Sequence, residues 1–308
     1  MNNYPDFIIA GAAKSGTTAL HYMLDQHPNI FMSGIKETNY FVYGYEHSRH
    51  WRDHSGLRPL ENQPEDDITD SPEKYRKLFS AATKGQLLGE SSPLYLLNNT
   101  VPQRILEHNP ETKIILILRN PVEVAFANFV HQVRDSTESI GLADVNRILE
   151  SEHYQKKDLH PFANHLQLPE YSRQLPFYLE AFNQDSITVI IYEEFIKDKR
   201  NMLKSLFSFL GVSDHPEINV DKRVNISGMP KNKKLQEAIQ GNPWWKSIAK
   251  YAVPKKPRRK VRAMLEAMNT GKKPVITQSL RDELNNRFAK DVTYLESYLG
   301  REISVWKK

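Results

Sequence analysis

The chain has 308 residues, 39% hydrophobic and 26% charged, which fits a globular protein and excludes a wholly disordered or fibrous one. It has no cysteine, which excludes disulfides, thiolate metal sites and cysteine nucleophiles. The net charge of +5 is unevenly spread. Between residues 241 and 273 ten lysines and arginines face Glu266 alone, a net of +9, so the remainder is mildly acidic and the basic character belongs to one segment.

In chain order, short aliphatic runs predict strands at 7–10, 86–89, 114–118 and 187–192. Runs of this kind are buried on both faces, as in a parallel sheet. Helices are expected at 17–26, 72–79, 102–108, 122–133, 171–182, 201–210 and 280–299, the last with Leu280, Leu284, Phe288, Val292 and Leu295 as an apolar stripe. The alternation predicts an α/β fold with a mostly parallel central sheet between helical layers. Polar stretches at about 47–70 and 136–170 read as lid insertions in a single domain spanning 1–308. The first apolar run follows Asp6 with no basic leader, and no run reaches the roughly eighteen apolar residues of a membrane span. A cytoplasmic location is therefore expected.

The first motif is Gly11-Ala12-Ala13-Lys14-Ser15-Gly16-Thr17-Thr18, between a strand and a helix pattern. A strand, a small-residue turn and a helix start make an anion site, because backbone N–H groups converge there and the helix dipole adds positive potential. Lys14 adds a cation, and Thr17 and Thr18 add hydroxyls. A Walker A loop places its lysine after the second glycine; here Lys14 precedes Gly16, which disfavours ATP and GTP chemistry. The second motif is Arg119-Asn120-Pro121, at the end of a buried strand. There α/β sheets bind ligands and an arginine fork suits phosphate, although a strand-end arginine is more often half of a structural ion pair.

These two motifs, with the C-terminal Leu299-Gly300-Arg301-Glu302-Ile303-Ser304-Val305-Trp306, resemble the PAPS-dependent sulfotransferases, in the bacterial and heparan-sulfate-like branch. PAPS is 3′-phosphoadenosine 5′-phosphosulfate. The resemblance runs from Phe7 to Trp306 and implies a P-loop-kinase-like fold. It also implies sulfuryl transfer from bound PAPS, release of adenosine 3′,5′-bisphosphate, and no requirement for metal. It assigns Ala13, Lys14, Ser15, Gly16, Thr17 and Thr18 to the 5′-phosphosulfate loop and Arg119 to the 3′-phosphate. The family's usual serine eight residues after that arginine is Ala127 here, and its frequent arginine five residues on is Val124. In relatives a basic loop closes over the nucleotide; Lys231 and Lys233 are its candidates, with a solvated basic turn as the alternative.

On the acceptor side, Lys36-Glu37-Thr38-Asn39-Tyr40-Phe41 resembles the stretch that carries the general base, here Glu37 with Lys36 beside it. Gly89-Glu90-Ser91-Ser92-Pro93-Leu94-Tyr95 resembles a substrate-cleft motif whose frequent lysine is Ser91. Glu90, Ser92 and Tyr95 are substrate-side candidates, with an ion-pair role as the alternative for Glu90. His165, also a substrate-side candidate, stands with His131, His153 and His160 as a reserve base, although most lid histidines simply face solvent. No His/Asp/Glu grouping has metal-ligand spacing. The acceptor is a small molecule, carbohydrate or lipid and not a nucleic acid, while its identity and the oligomeric state stay open. Residues 244–262 offer peripheral membrane contact, against the favoured reading of a solvated hairpin whose Trp244 and Trp245 complete the core. Competing functions are a P-loop nucleotide phosphotransferase and a non-catalytic polyanion-binding protein.

Overall fold

In the computed structural model, which describes residues 4–43, 71–135, 164–215, 217–221, 231–240, 261, 264–265, 267–272 and 274–307, five strands form one sheet. They are β1 (Phe7–Gly11), β2 (Ile30–Met32), β3 (Leu87–Ser91), β4 (Lys113–Leu118) and β5 (Ile187–Ile191), in the order β2-β3-β1-β4-β5. Every pairing is parallel, with Phe7 opposite Gly89 on one side and Lys113 on the other. Between them run α1 (Thr17–Leu24), α2 (Tyr40–Tyr43), α3 (Pro72–Lys77), α4 (Val101–His108), α5 (Pro121–Asp135), α6 (Tyr171–Ala181), α7 (Tyr192–Lys197), α8 (Lys199–Leu210), α9 (Lys233–Gln240) and α10 (Gln278–Leu299).

The unbroken apolar strands follow from two-sided burial. Successive side chains point to opposite faces, so Ile8, Ala10, Ile114, Leu116 and Leu118 join a core with Tyr75, Ile105, Leu175, Tyr178 and Leu295. Phe7, Ile9, Ile115 and Ile117 join the other with Leu20, Met23, Leu24, Leu203, Leu206 and Phe207. Ile114 to Leu118 are all fully buried, each such side chain contributing roughly 1.5–3 kcal/mol. A third cluster packs Val122, Phe126 and Phe129 of α5 against Leu280, Leu284 and Phe288 of α10, the stripe the sequence predicts. Helix ends carry ordinary signals: Ser71 caps α3 through Lys74 N at 3.3 Å, Thr277 caps α10 through Leu280 N at 3.4 Å, and Gly300 closes α10 at φ 64°.

Several elements escape the sequence reading, among them β2, the helices α2, α7 and α9, and the turn at 93–97. β2 is only three residues long, too short to show a period. Strand β5 stops at Ile191, and Tyr192, expected as its last residue, opens α7. Pro93–Leu97 is a 3-10 turn. The expected insertion at 47–70, residues 136–163 of the second, the basic residues 244–260 with both tryptophans, and His153 and His160 lie outside the described residues.

Candidate active site

At the carboxyl end of β1 the chain turns through Ala12 to Gly16 into α1. Lys14 has φ 62° and Gly16 φ 89°, both left-handed. Gly16 is required twice over: a β-carbon there would meet the Tyr192 ring at 2.7 Å, and its φ disfavours any side chain. α1 starts at Gly16 with no side-chain hydrogen bond capping its first turn. Its leading N–H groups, which have no intrahelical acceptors, are therefore presented beside Lys14 to an anion. Ser15 is fully buried and its hydroxyl donates inward to Ala13 O at 3.3 Å, which leaves its backbone as the part suited to a ligand. Thr17 is buried and Thr18 half-buried.

Arg119 leaves β4 beside this turn. Its Nη1 donates to Lys14 O at 3.1 Å, its Nη2 to Glu123 Oε2 at 3.3 Å, and its guanidinium lies 5.1 Å from the centre of the Tyr192 ring. The Tyr171 hydroxyl donates to Arg119 O at 2.8 Å. Glu193 accepts from Asn120 N at 3.1 Å and from Trp306 Nε1 at 2.7 Å, so the C-terminal tryptophan is pinned to the same strand end. Glu123 also takes Arg281 Nη2 at 2.9 Å. Val124 is fully buried and packs with Ala13 and Leu168. An apolar contact stands there in place of the family's frequent arginine.

Opposite Lys14, the chain after β2 crosses the end of β3. Glu37 N donates to Ser91 O at 2.9 Å and Asn39 N to Ser92 Oγ at 3.1 Å. Glu37 and Asn39 both have positive φ, 62° and 49°, so this crossing is held in an uncommon backbone state. What holds it is buried: the Glu90 carboxylate accepts from Thr38 Oγ1 at 2.8 Å, from Tyr75 Oη at 3.0 Å, and from Ser92 Oγ. Thr38 Oγ1 also pairs with Tyr95 Oη at 3.3 Å. Burial pushes the Glu90 carboxyl up, with these hydroxyls opposing.

Lys36 Nζ donates to Glu37 Oε1 at 2.5 Å. Many protein atoms surround the Glu37 carboxyl although 45% of the side chain still meets solvent. Their desolvation pushes it up, but the charge and hydrogen bond of Lys36, aided by Lys14 and His131, more than offset this and hold it below the usual range. His21 of α1 is buried beside the pair. Burial, then the Lys36 charge, lower it to about 4, with Glu37 opposing.

An anion-presenting helix start faces an ionised carboxylate across a parallel-sheet rim, and comparison with known proteins agrees with that arrangement. A model of the sulfotransferase family matches residues 5–216. The chain belongs to the sulfotransferase family. A solved sulfotransferase from Alicyclobacillus acidocaldarius is 25% identical, with a TM-score of 0.72 and 99% of each chain covered. Heparan sulfate glucosamine 3-O-sulfotransferase 3B1 of Mus musculus is 24% identical over 211 residues, 68% of this chain and 46% of that protein. Membrane-associated sulfotransferase kil1 of Dictyostelium discoideum is 30% identical over 125 residues, 41% of this chain and 22% of that protein. The chain thus matches less than half the length of these curated relatives. The parallel sheet with flanking helices is the P-loop-like fold of the sulfotransferases.

In this sulfotransferase the structure brings Lys14, Arg119, Lys36 and Glu37 to one rim. It does not give Glu90, Ser92 or Tyr95 an open face: all three are fully buried and support the crossing at 37–41 from beneath. Nor is Glu90 half of an ion pair among the described residues: its partners are the hydroxyls of Thr38, Tyr75 and Ser92. His165 does not face solvent. It is buried, bonds Asn128 Nδ2 through Nδ1 at 2.9 Å, lies edge-on to Phe129, and is lowered to about 4 by burial. Lys231 is engaged by the 268–269 backbone, its Nζ donating to Met268 O at 3.0 Å. Lys233 opens α9, and its side chain lies outside the described residues. Sequence reasoning missed Tyr192 and Tyr171, which support the loop and Arg119, and Thr38 and Tyr75, which complete the Glu90 network. The place of Tyr192 as the last residue of the strand predicted at 187–192, at a carboxyl end where α/β sheets bind ligands, is the available signal for the first.

Proposed function

We propose that this protein transfers the sulfuryl group of PAPS to a hydroxyl or amine of a carbohydrate, lipid or small-molecule acceptor. The observation that carries the proposal is the uncapped start of α1 beside left-handed Lys14, with the ionised Glu37 within its electrostatic reach. That donor set fits a phosphosulfate. The bound donor supplies an electrophilic sulfur and a bisphosphate leaving group. Lys14 and the amides of residues 16–18 hold the phosphosulfate and stabilise the negative charge that grows on the departing oxygen. Glu37 accepts the acceptor's proton, and Lys36 orients that carboxylate. Arg119 braces the loop through Lys14 O and would hold the donor's 3′-phosphate, with Glu123 positioned between Arg119 and Arg281. Similarity to a heparan sulfate glucosamine 3-O-sulfotransferase supports a hydroxyl acceptor. We further read the chain as one sulfotransferase domain.

The test is calorimetry with adenosine 3′,5′-bisphosphate in the presence of a chelator, alongside a mass-spectrometric search for sulfonated products in a metabolite extract supplied with PAPS. Tight bisphosphate binding and a sulfonated product are expected; a preference for ATP overturns the proposal. Arg119→Ala should weaken the bisphosphate far more than adenosine 5′-phosphosulfate, which lacks the 3′-phosphate. Equal losses for both ligands assign Arg119 to bracing the loop alone.

A further inference from the structure

α1 buries a histidine where a helix packed on a sheet ordinarily buries a hydrophobe. His21 follows Thr17 by one helical turn, on the face that also buries Leu20 and Leu24, and only 4% of it meets solvent. Its Nδ1 is buried and has no hydrogen-bond partner among the described residues. Buried polar atoms in that state are rare in folded proteins, and each calls for a reason. The reason stands beside it. Lys36 and Glu37 are the charged groups that act on His21. The Lys36 side chain is 14% exposed, and among the described residues its ammonium has one hydrogen-bond partner, Glu37 Oε1. An ammonium carries three donors, and a neutral imidazole carries one lone pair on nitrogen. A largely buried cation with hydrogens to spare is thus in electrostatic contact with a buried nitrogen that lacks a donor.

The two do not bond while the Glu37 carboxylate holds Lys36. Once the carboxyl takes a proton its charge is gone, and the ammonium needs another acceptor. We propose that His21 is a positioning residue for Glu37: its Nδ1 receives the Lys36 ammonium when Glu37 becomes protonated. The proposal rests on Glu37 as the base of the reaction. The proton balance closes. The acceptor's proton goes to Glu37, Lys36 keeps all three hydrogens and turns one from Oε1 to Nδ1, and His21 stays neutral. Burial and the Lys36 charge, which lower His21 to about 4, keep that lone pair unprotonated at neutral pH. Lys36 by itself favours the ionised carboxylate and so weakens it as a base; a second partner for the ammonium offsets this as the proton arrives.

Nitrogen-15 NMR of histidine-labelled protein tests the contact without turnover. Glu37→Leu removes the carboxylate from a side chain that is 45% exposed, so the fold should persist, checked by thermal melting. In that variant the His21 Nδ1 resonance, identified by its loss in His21→Asn, should move upfield as the lone pair accepts a hydrogen bond. Adding Lys36→Met should return it. A resonance that stays in place, or that moves without Lys36, overturns the proposal. Turnover is the second test. His21→Phe fills the space and removes Nδ1, so kcat should fall about tenfold or more, the loss of one hydrogen bond to a charged group. KM for PAPS and bisphosphate affinity should stay near wild type. The acid limb of the pH–rate profile should move to lower pH, because Lys36 then holds Glu37 alone. The charged groups facing Glu37 are Lys36, Lys14 and His131, and those facing His21 are Lys36 and Glu37; the substitutions at 21 change none of them. His21→Asn places an amide oxygen near Nδ1 and should restore most of the loss. Equal losses in the two variants, or an unmoved acid limb, overturn the role and leave His21 to packing. If the wild-type protein transfers no sulfuryl group, the base assignment fails, while the NMR result still decides whether His21 takes Lys36.

Discussion

Lys36 and Glu37 are adjacent in sequence, and their side chains meet at 2.5 Å where Glu37 takes a left-handed backbone. The lysine keeps the carboxylate ionised and ready to accept a proton, at the cost of some basicity. Glu37→Gln keeps the shape and removes the proposed base, so turnover should fall about 10²-fold or more while bisphosphate affinity measured by calorimetry stays near wild type. Lys36→Met removes the charge that holds the carboxyl low. The acid limb of the pH–rate profile, where activity fails as Glu37 protonates, should therefore move to higher pH. An unmoved limb would assign the titration to another group. At Gly16 the conflict is steric. Gly16→Ala forces a side chain into a left-handed conformation, a cost of about 1–2 kcal/mol, and against the Tyr192 ring. Urea unfolding should show at least that loss, and nucleotide binding should weaken with it.

Between elements, the Glu90 network joins the end of β3, α3 through Tyr75, and the crossing that ends in α2. A carboxylate offers only acceptors, and each surrounding hydroxyl donates one hydrogen to it. Glu90→Gln turns one acceptor into a donor facing a hydroxyl, and should cost about 1–3 kcal/mol by urea unfolding. Because Thr38 follows Glu37 directly, turnover should fall with little change in bisphosphate affinity, a split that general destabilisation would not produce. Tyr75→Phe, which removes a single donor, should act in the same direction and less strongly.

Across the described residues, two buried histidines make stability sensitive to acid above pH 4. His21 and His165 are buried on different helices and segments, and burial lowers both to about 4. In the unfolded chain each protonates near 6.5. Between about pH 6.5 and 4 the unfolded state therefore binds more protons, and stability falls as pH falls through that window. At about 1.4 kcal/mol per pKa unit, the loss is roughly 3 kcal/mol apiece at most. Urea midpoints should drop between pH 7 and 5, and His165→Gln should flatten part of that slope. A midpoint independent of pH over this range would show that neither histidine stays neutral in the folded state.

The parallel sheet and the anion loop were legible in the chain itself, because both rest on local patterns. Two-sided burial makes runs such as residues 114–118 uniformly apolar, and a strand, small turn and helix start leave the N–H groups at the start of α1 uncapped, through backbone geometry alone. The resemblance of residues 36–41 to a base-bearing stretch was also readable. What surrounds that stretch was not. That Glu90, Ser92 and Tyr95 face inward to hold Thr38, that Tyr192 lies under Gly16, and that Arg119 grips Lys14 O all depend on elements far apart in sequence meeting at one rim. Spacing along a chain carries no record of such meetings.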